Sequence, residues 1–146
     1  MCEGERYFEL VDTGGIGILD EDDLTDHIEQ QIDVAIESAD VILFVVDSRD
    51  GILPLDEEVA GRLRYVDVPI ICVANKTDSE KLEPEAQEFH RLGRGKLICC
   101  STKADRNRRA LIEMILERLP PPLEERAVDE PVMKMAIVGR RNVGKS

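Results

Sequence analysis

The chain carries Gly139-Arg140-Arg141-Asn142-Val143-Gly144-Lys145-Ser146, which fits G-x-x-x-x-G-K-[ST] at every fixed position. The apolar run Met133–Val138 ahead of it reads as a strand. A loop of this pattern holds phosphates: backbone N–H groups of Val143 to Ser146 would cradle them, with Gly139 opening the turn. Lys145 would reach the β- and γ-phosphates, and the Ser146 hydroxyl would ligate Mg²⁺. The pattern normally opens a helix, and Ser146 is the last residue of the sequence.

Three further stretches could complete such chemistry. Asp12-Thr13-Gly14-Gly15 follows the run "RYFELVD". A strand-end Asp can hold Mg²⁺, usually through water, and a following Gly can bring its N–H to a terminal phosphate without a Cβ in the way. Read alone, this D-x-x-G is better taken as a tight Gly-rich turn at a strand end. Asn75-Lys76-Thr77-Asp78 follows "PIICVA". The Asp78 carboxylate could accept two hydrogen bonds from guanine N1–H and its exocyclic amine, a pair that adenine does not offer. Lys76 would lay its stem along the base and Asn75 would brace neighbouring loops. A second match, Thr102-Lys103-Ala104-Asp105, follows the next strand. Its Ser101-Thr102-Lys103 portion fits a different role, a backbone N–H offered to guanine O6.

Composition narrows the classes. The 146 residues hold 42% apolar and 34% charged residues, enough for one ordinary domain with a core. Aromatics are 3% with no Trp, and the net charge is −12, so neither base-stacking platforms nor a surface dominated by nucleic-acid backbone contacts is expected, and no direct nucleic-acid site is evident. Cys2, Cys72, Cys99 and Cys100 form no C-x-x-C pair, and Cys72 and Cys99 lie in apolar runs as buried thiols would. His27 and His90 fall on expected helices, far from any cysteine pair, so no zinc site is expected. With no span-length apolar stretch and no signal-peptide pattern, a cytoplasmic protein without membrane contact is expected.

The elements that must position these residues alternate. Strands are expected at Arg6–Asp12, Val41–Asp47, Pro69–Asn75, Lys96–Cys100 and Met133–Val138. Helices are expected at Asp22–Ser38, Leu55–Val66, Pro84–Leu92 and Arg108–Leu119. Alternation implies a mostly parallel α/β sheet with helices on both faces, ligands binding beyond the strands' carboxyl ends. Pro120 to Pro131 is acidic, Pro-containing and without periodicity, a linker.

The motif order resembles the translation-factor-like small GTPases with their P-loop NTPase-like sheet. "FELVDTGGI", "ADVILFVVD", "NKTD", "EFHRLGRG" and "MAIVGRRNVGKS" narrow the resemblance to the tandem-domain ribosome-assembly GTPases of the Der (EngA) family. The resemblance implies that 1–119 is the back part of a first GTPase domain, 120–132 an acidic linker, and 133–146 the first strand and phosphate loop of a second. It implies GTP/GDP and Mg²⁺ as ligands, K⁺ held through Asn142, and the large ribosomal subunit as partner of the intact protein. The sheet would then be incomplete, and these 146 residues alone would bind GTP weakly without turnover. Departures from the family pattern are "STKADRNRR" after the fourth strand, Arg141 where Pro is common, and Ile16, which cannot orient a water as a Ras-like Gln does. Two alternatives stay open: a circularly permuted GTPase, which also places base-reading motifs before the phosphate loop, and a non-catalytic interaction module. A vacancy beside Arg6–Asp12 would leave backbone groups unpaired, so Met133–Val138 is expected to fill it in parallel.

Overall fold

Val41–Asp47 is buried at all seven positions, as a β-branched run flanked on both sides and covered on both faces must be. It is β4 of a computed structural model that describes residues 2–3, 6–13, 33–93, 95–121, 134–139 and 143–144. The other strands are β1 (Cys2–Glu3), β2 (Arg6–Tyr7), β3 (Glu9–Asp12), β5 (Ile70–Asn75), β6 (Lys96–Cys99) and β7 (Lys134–Val138). The helices are α1 (33–38), α2 (Pro54–Leu63), α3 (Glu83–Ala86) and α4 (Arg108–Arg118).

Five strands form one parallel sheet in the order β3-β7-β4-β5-β6. The last of these strands in sequence therefore lies inside the sheet, between β3 and β4. β7 pairs with β3 from Glu9↔Lys134 to Asp12↔Ile137, and with β4 from Val41↔Met135 to Phe44↔Val138. The expected insertion of this strand beside residues 9–12 is what the structure contains.

Alternation along the strands splits the core in two. Ile42, Phe44, Val46, Cys72, Ala136 and Val138 meet α1, α2 and Phe89 on one face. Val41, Leu43, Val45, Ile71, Met135 and Ile137 meet α4 and Phe8 on the other. Helices thus cover both faces. Helix α2 starts at Pro54, and the buried Asp56 carboxylate accepts the Leu53 N–H at 3.0 Å. Among the described residues no helix is long and apolar enough to cross a membrane.

Two expected elements differ. Residues 6–12 are not one strand: Arg6–Tyr7 pairs antiparallel with Cys2–Glu3, and only Glu9–Asp12 joins the parallel sheet. Phe8 lies between them with its side chain 3% exposed, turned into the core. The expected helix 84–92 is mostly 3₁₀, with one short α-turn at Glu83–Ala86 between Glu80–Leu82 and Gln87–Leu92. Its buried residues are Ala86, Phe89 and Leu92, three apart. Side chains at i and i+3 eclipse in a 3₁₀ helix, so that winding puts all three on the core side. Of the helix expected over 22–38, residues 22–32 lie outside the described residues, as do His27 and most of the linker.

Cys72, Cys99 and Cys100 are buried and free, as expected for the first two. Burial, assisted by the Asp56 carboxylate, pushes the Cys72 thiol up to about 12. Burial likewise raises Cys99, and takes Cys100 to about 11. Since the thiolate is the reactive form, all three should resist alkylation at pH 8 until denaturant is added. Mass-spectrometric labelling that modified Cys72 in the native protein would contradict the packing described.

Gly95 enters β6 at φ +77, and a Cβ there would sit 2.2 Å from the Ile70 carbonyl oxygen. Gly95→Ala should lose at least the ~1–2 kcal/mol of a left-handed alanine, plus the cost of moving β5 backbone. Gly61, inside α2 with nothing within 4 Å of its would-be Cβ, is the control. Gly61→Ala should gain about 0.4–1 kcal/mol. Urea denaturation midpoints of the two variants should move in opposite directions.

Candidate functional site

Parallel strands deliver their carboxyl ends to one sheet edge. Thr13, Asp47, Asn75, Ser101 and Gly139 stand at or just beyond those ends of β3, β4, β5, β6 and β7. Asn75 binds this edge together. Its side chain is buried, and Nδ2 donates to the Val143 carbonyl at 2.7 Å. Its Oδ1 accepts the Thr102 N–H at 3.4 Å, and its main-chain carbonyl accepts the Ser48 N–H at 3.0 Å. One residue thus touches the loops after β4, β6 and β7.

The loop after β7 approaches so closely that glycine is required twice. A Cβ on Gly139 would lie 2.4 Å from the Val45 carbonyl oxygen. Gly144, at φ +91, would put a Cβ 2.2 Å from Asn75 Nδ2. Val143 between them is fully buried against Val41, Leu43 and Val45. Across the strand, Thr13 donates its hydroxyl at 2.6 Å and its N–H at 3.3 Å to the Ile137 carbonyl. Asp12 is exposed and ends β3, which is an edge strand of the parallel sheet rather than a strand buried on both faces.

The Asn75–Asp78 turn is held from several sides. Lys76 adopts φ 64, a left-handed conformation uncommon outside glycine and concentrated at functional sites. Its Nζ lies 2.6 Å from Asp47 Oδ2, while Asp47 Oδ1 accepts the Arg49 N–H at 3.0 Å. Thr77 is fully buried; its hydroxyl donates to Ala74 O at 3.0 Å, and its N–H to Cys100 O at 3.0 Å. Asp78 Oδ1 accepts the Ser101 hydroxyl at 2.5 Å, and Oδ2 pairs with the Arg49 guanidinium. The Ser101 hydrogen bond, then Arg49, hold the Asp78 carboxyl below the usual carboxylate range.

The loop after β6 is closed by Ser101 and Arg106, which exchange backbone hydrogen bonds of 3.2 and 2.9 Å. Ser101 Oγ also accepts the Ala104 N–H at 2.9 Å. Arg106 pairs with Glu83 and donates to the Thr77 carbonyl at 3.3 Å, tying this loop to the Asn75–Asp78 turn. Thr102 and Lys103 are exposed, and the Thr102 N–H expected to serve guanine O6 is directed at Asn75.

The structure therefore gathers Thr13, Asn75, Lys76, Thr77, Asp78, Ser101, Thr102, Gly139, Val143 and Gly144 around one edge. Gly14, Gly15, Ile16, Arg141, Asn142, Lys145 and Ser146 lie outside the described residues. Sequence reasoning missed Asp47 and Arg49. Asp47 had a signal, a carboxylate closing the apolar run "VILFVVD"; Arg49 had none.

The family model described as 50S ribosome-binding GTPase matches residues 1–76. GTPase Der of Rhodopirellula baltica is 57% identical over 142 residues, covering 97% of this chain and 31% of its own length. GTPase Der of Geobacter metallireducens is 43% identical over 142 residues, covering 97% and 32%. The chain thus spans about a third of the length of these relatives. Among solved structures, Aquifex aeolicus Era bound to GDP·AlF₄⁻ superposes with a TM-score of 0.55 at 27% identity, over 73% of this chain and 36% of that one. With the family model matching over half of its residues, the chain belongs to the 50S ribosome-binding GTPase family.

Proposed function

We propose that the chain binds guanine nucleotide and belongs to a cytoplasmic protein that hydrolyses GTP during assembly of the large ribosomal subunit. In this reading 1–119 is the back part of one GTPase domain, 120–132 a linker, and 133–146 the start of a second. The relatives' names, GTPase Der, and the GDP·AlF₄⁻ bound to Era support it. What supports nucleotide binding by this chain is the Asn75 Nδ2 bond to Val143 O, 2.7 Å, which joins at one site two motifs that a tandem protein would carry in separate domains.

Asp78 would accept the guanine N1–H and exocyclic amine, Ser101 and Thr77 fixing its turn. Lys76, with Asp47 beside its ammonium, would cover the base. Thr102 and Lys103 would edge the O6 side. Gly139, Asn142, Val143, Gly144, Lys145 and Ser146 would wrap the phosphates, Lys145 stabilising charge that develops during transfer. Asp12, Thr13, Gly14 and Gly15 would face the terminal phosphate. The donor fits Mg²⁺: Asp12 ends β3 exposed, and its carboxylate is the hard oxygen ligand that this ion takes. Mg²⁺ when bound, held by Ser146 directly and by Asp12 through water, would neutralise phosphate charge. K⁺ would sit at Asn142 and supply positive charge at the phosphates.

A circularly permuted GTPase is favoured by one observation, the seat of β7 between β3 and β4 of the same chain. The two readings separate by stoichiometry in the full-length protein. A tandem protein should bind two guanine nucleotides, Asp78→Asn removing one and Lys145→Ala the other. A permuted one should bind one, lost to either variant.

Asp78→Asn replaces an acceptor-only group with one carrying donors. It should weaken GTP at this site by about tenfold or more and admit xanthine nucleotides. Calorimetric titration giving unchanged GTP affinity would remove Asn75–Asp78 as the base reader. No guanine-nucleotide binding in the full-length protein would favour an interaction module instead.

A further inference from the structure

Guanine's N1–C2–N2 edge is itself part of a guanidine unit, two N–H donors set side by side on a planar frame. The side chain already on Asp78 has the same chemistry. The Arg49 guanidinium pairs with Asp78 Oδ2, while Ser101 holds Oδ1 at 2.5 Å. Both carboxylate oxygens are therefore engaged, one by a fixed hydroxyl and one by a planar cation. From this geometry we infer that Arg49 is an internal stand-in for the guanine edge, one that the base must displace, and so sets the affinity of this site. The inference rests on Asp78 being the base reader.

The backbone beneath Arg49 is anchored. Its N–H donates to Asp47 Oδ1 at 3.0 Å, Asp47 Oδ2 lies 2.6 Å from Lys76 Nζ, and Ser48 N–H donates to Asn75 O at 3.0 Å. Each residue from 47 to 49 thus meets the Asn75–Asp78 turn, and the guanidinium starts from a point fixed relative to the carboxylate. The Arg49 side chain itself is 51% exposed, which makes its pair with Asp78 weak, screened and exchangeable. That is what a stand-in requires. A buried pair would shut the site.

Displacement has a cost and a function. The apparent dissociation constant is the intrinsic one divided by the fraction of sites in which Arg49 has left the carboxylate. In exchange, Asp78 keeps its charge paired and its turn in the base-reading shape while no base is present. The cost falls equally on every base that takes the carboxylate, so the pair lowers affinity and leaves the preference among such bases to the contacts that they make with Asp78.

The test is GDP titration of the full-length protein, the relevant site being the one that Asp78→Asn affects. Arg49→Gln should tighten GDP there about two- to fivefold, the range of an exposed ion pair. Arg49→Lys, which keeps charge but loses the planar fork, should fall between it and wild type. In the Asp78→Asn background Arg49→Gln should change nothing. Uncharged guanosine should bind wild type more tightly as salt rises from 50 to about 500 mM, and Arg49→Gln should lack that rise. If Arg49→Gln leaves GDP affinity unchanged or weakens it while Asp78→Asn still lowers it, Arg49 is no stand-in and the base reader remains. If Asp78→Asn has no effect either, the base reader falls and this inference with it.

Discussion

The sheet depends on one parallel strand having partners on both sides. β7 supplies four paired positions to β3 and four to β4, and without it the backbone groups of Glu9–Asp12 would have no strand to meet. Four of its five residues close the two cores, Ala136 and Val138 on one face, Met135 and Ile137 on the other. Because the phosphate-motif loop leaves directly from this strand, the pairing that completes the sheet also fixes where Gly139 emerges. Architecture and site share one set of hydrogen bonds.

Close approach is the second consequence. Gly139 lies against the Val45 carbonyl and Gly144 against the Asn75 amide, at separations that no Cβ tolerates. The two glycines of G-x-x-x-x-G-K-S thus serve this chain's own packing as well as any phosphate. Val143, fully buried between them, pins the loop to the face of the sheet carrying α4. Asn75 uses a donor, a side-chain acceptor and its carbonyl on three different loops. A residue able only to donate or only to accept could not hold all three.

Much of this was legible in the sequence for stated reasons. Apolar runs such as "VILFVVD" and "IICVAN" mark strands buried on both faces, and both are such strands. The vacancy beside residues 9–12, and the composition of the last strand, pointed to their union. What escaped depends on tertiary contact. Nothing local to "RYFELVD" says that Phe8 turns inward and parts the antiparallel ribbon from the parallel edge. The i, i+3, i+6 spacing of Ala86, Phe89 and Leu92 did mark a 3₁₀ winding, but over so short a span it also passes for an amphipathic α-helix. Arg49 lay hidden because an exposed basic residue after a strand has no signature until its partner 29 positions on is known.

Two ion pairs leave the same β4 turn, and burial separates their roles. Asp47 is 5% exposed and satisfied by Lys76 and the Arg49 N–H, so losing either partner would strand a charge in a dry place. Its neighbour, the Arg49–Asp78 pair, reaches solvent, where water replaces a lost partner at little cost. The first pair can hold a shape, and the second can exchange partners. A turn that must stay in register while one of its carboxylates changes partner needs one of each, and the step from buried Asp47 and Ser48 to exposed Arg49 supplies them within three residues.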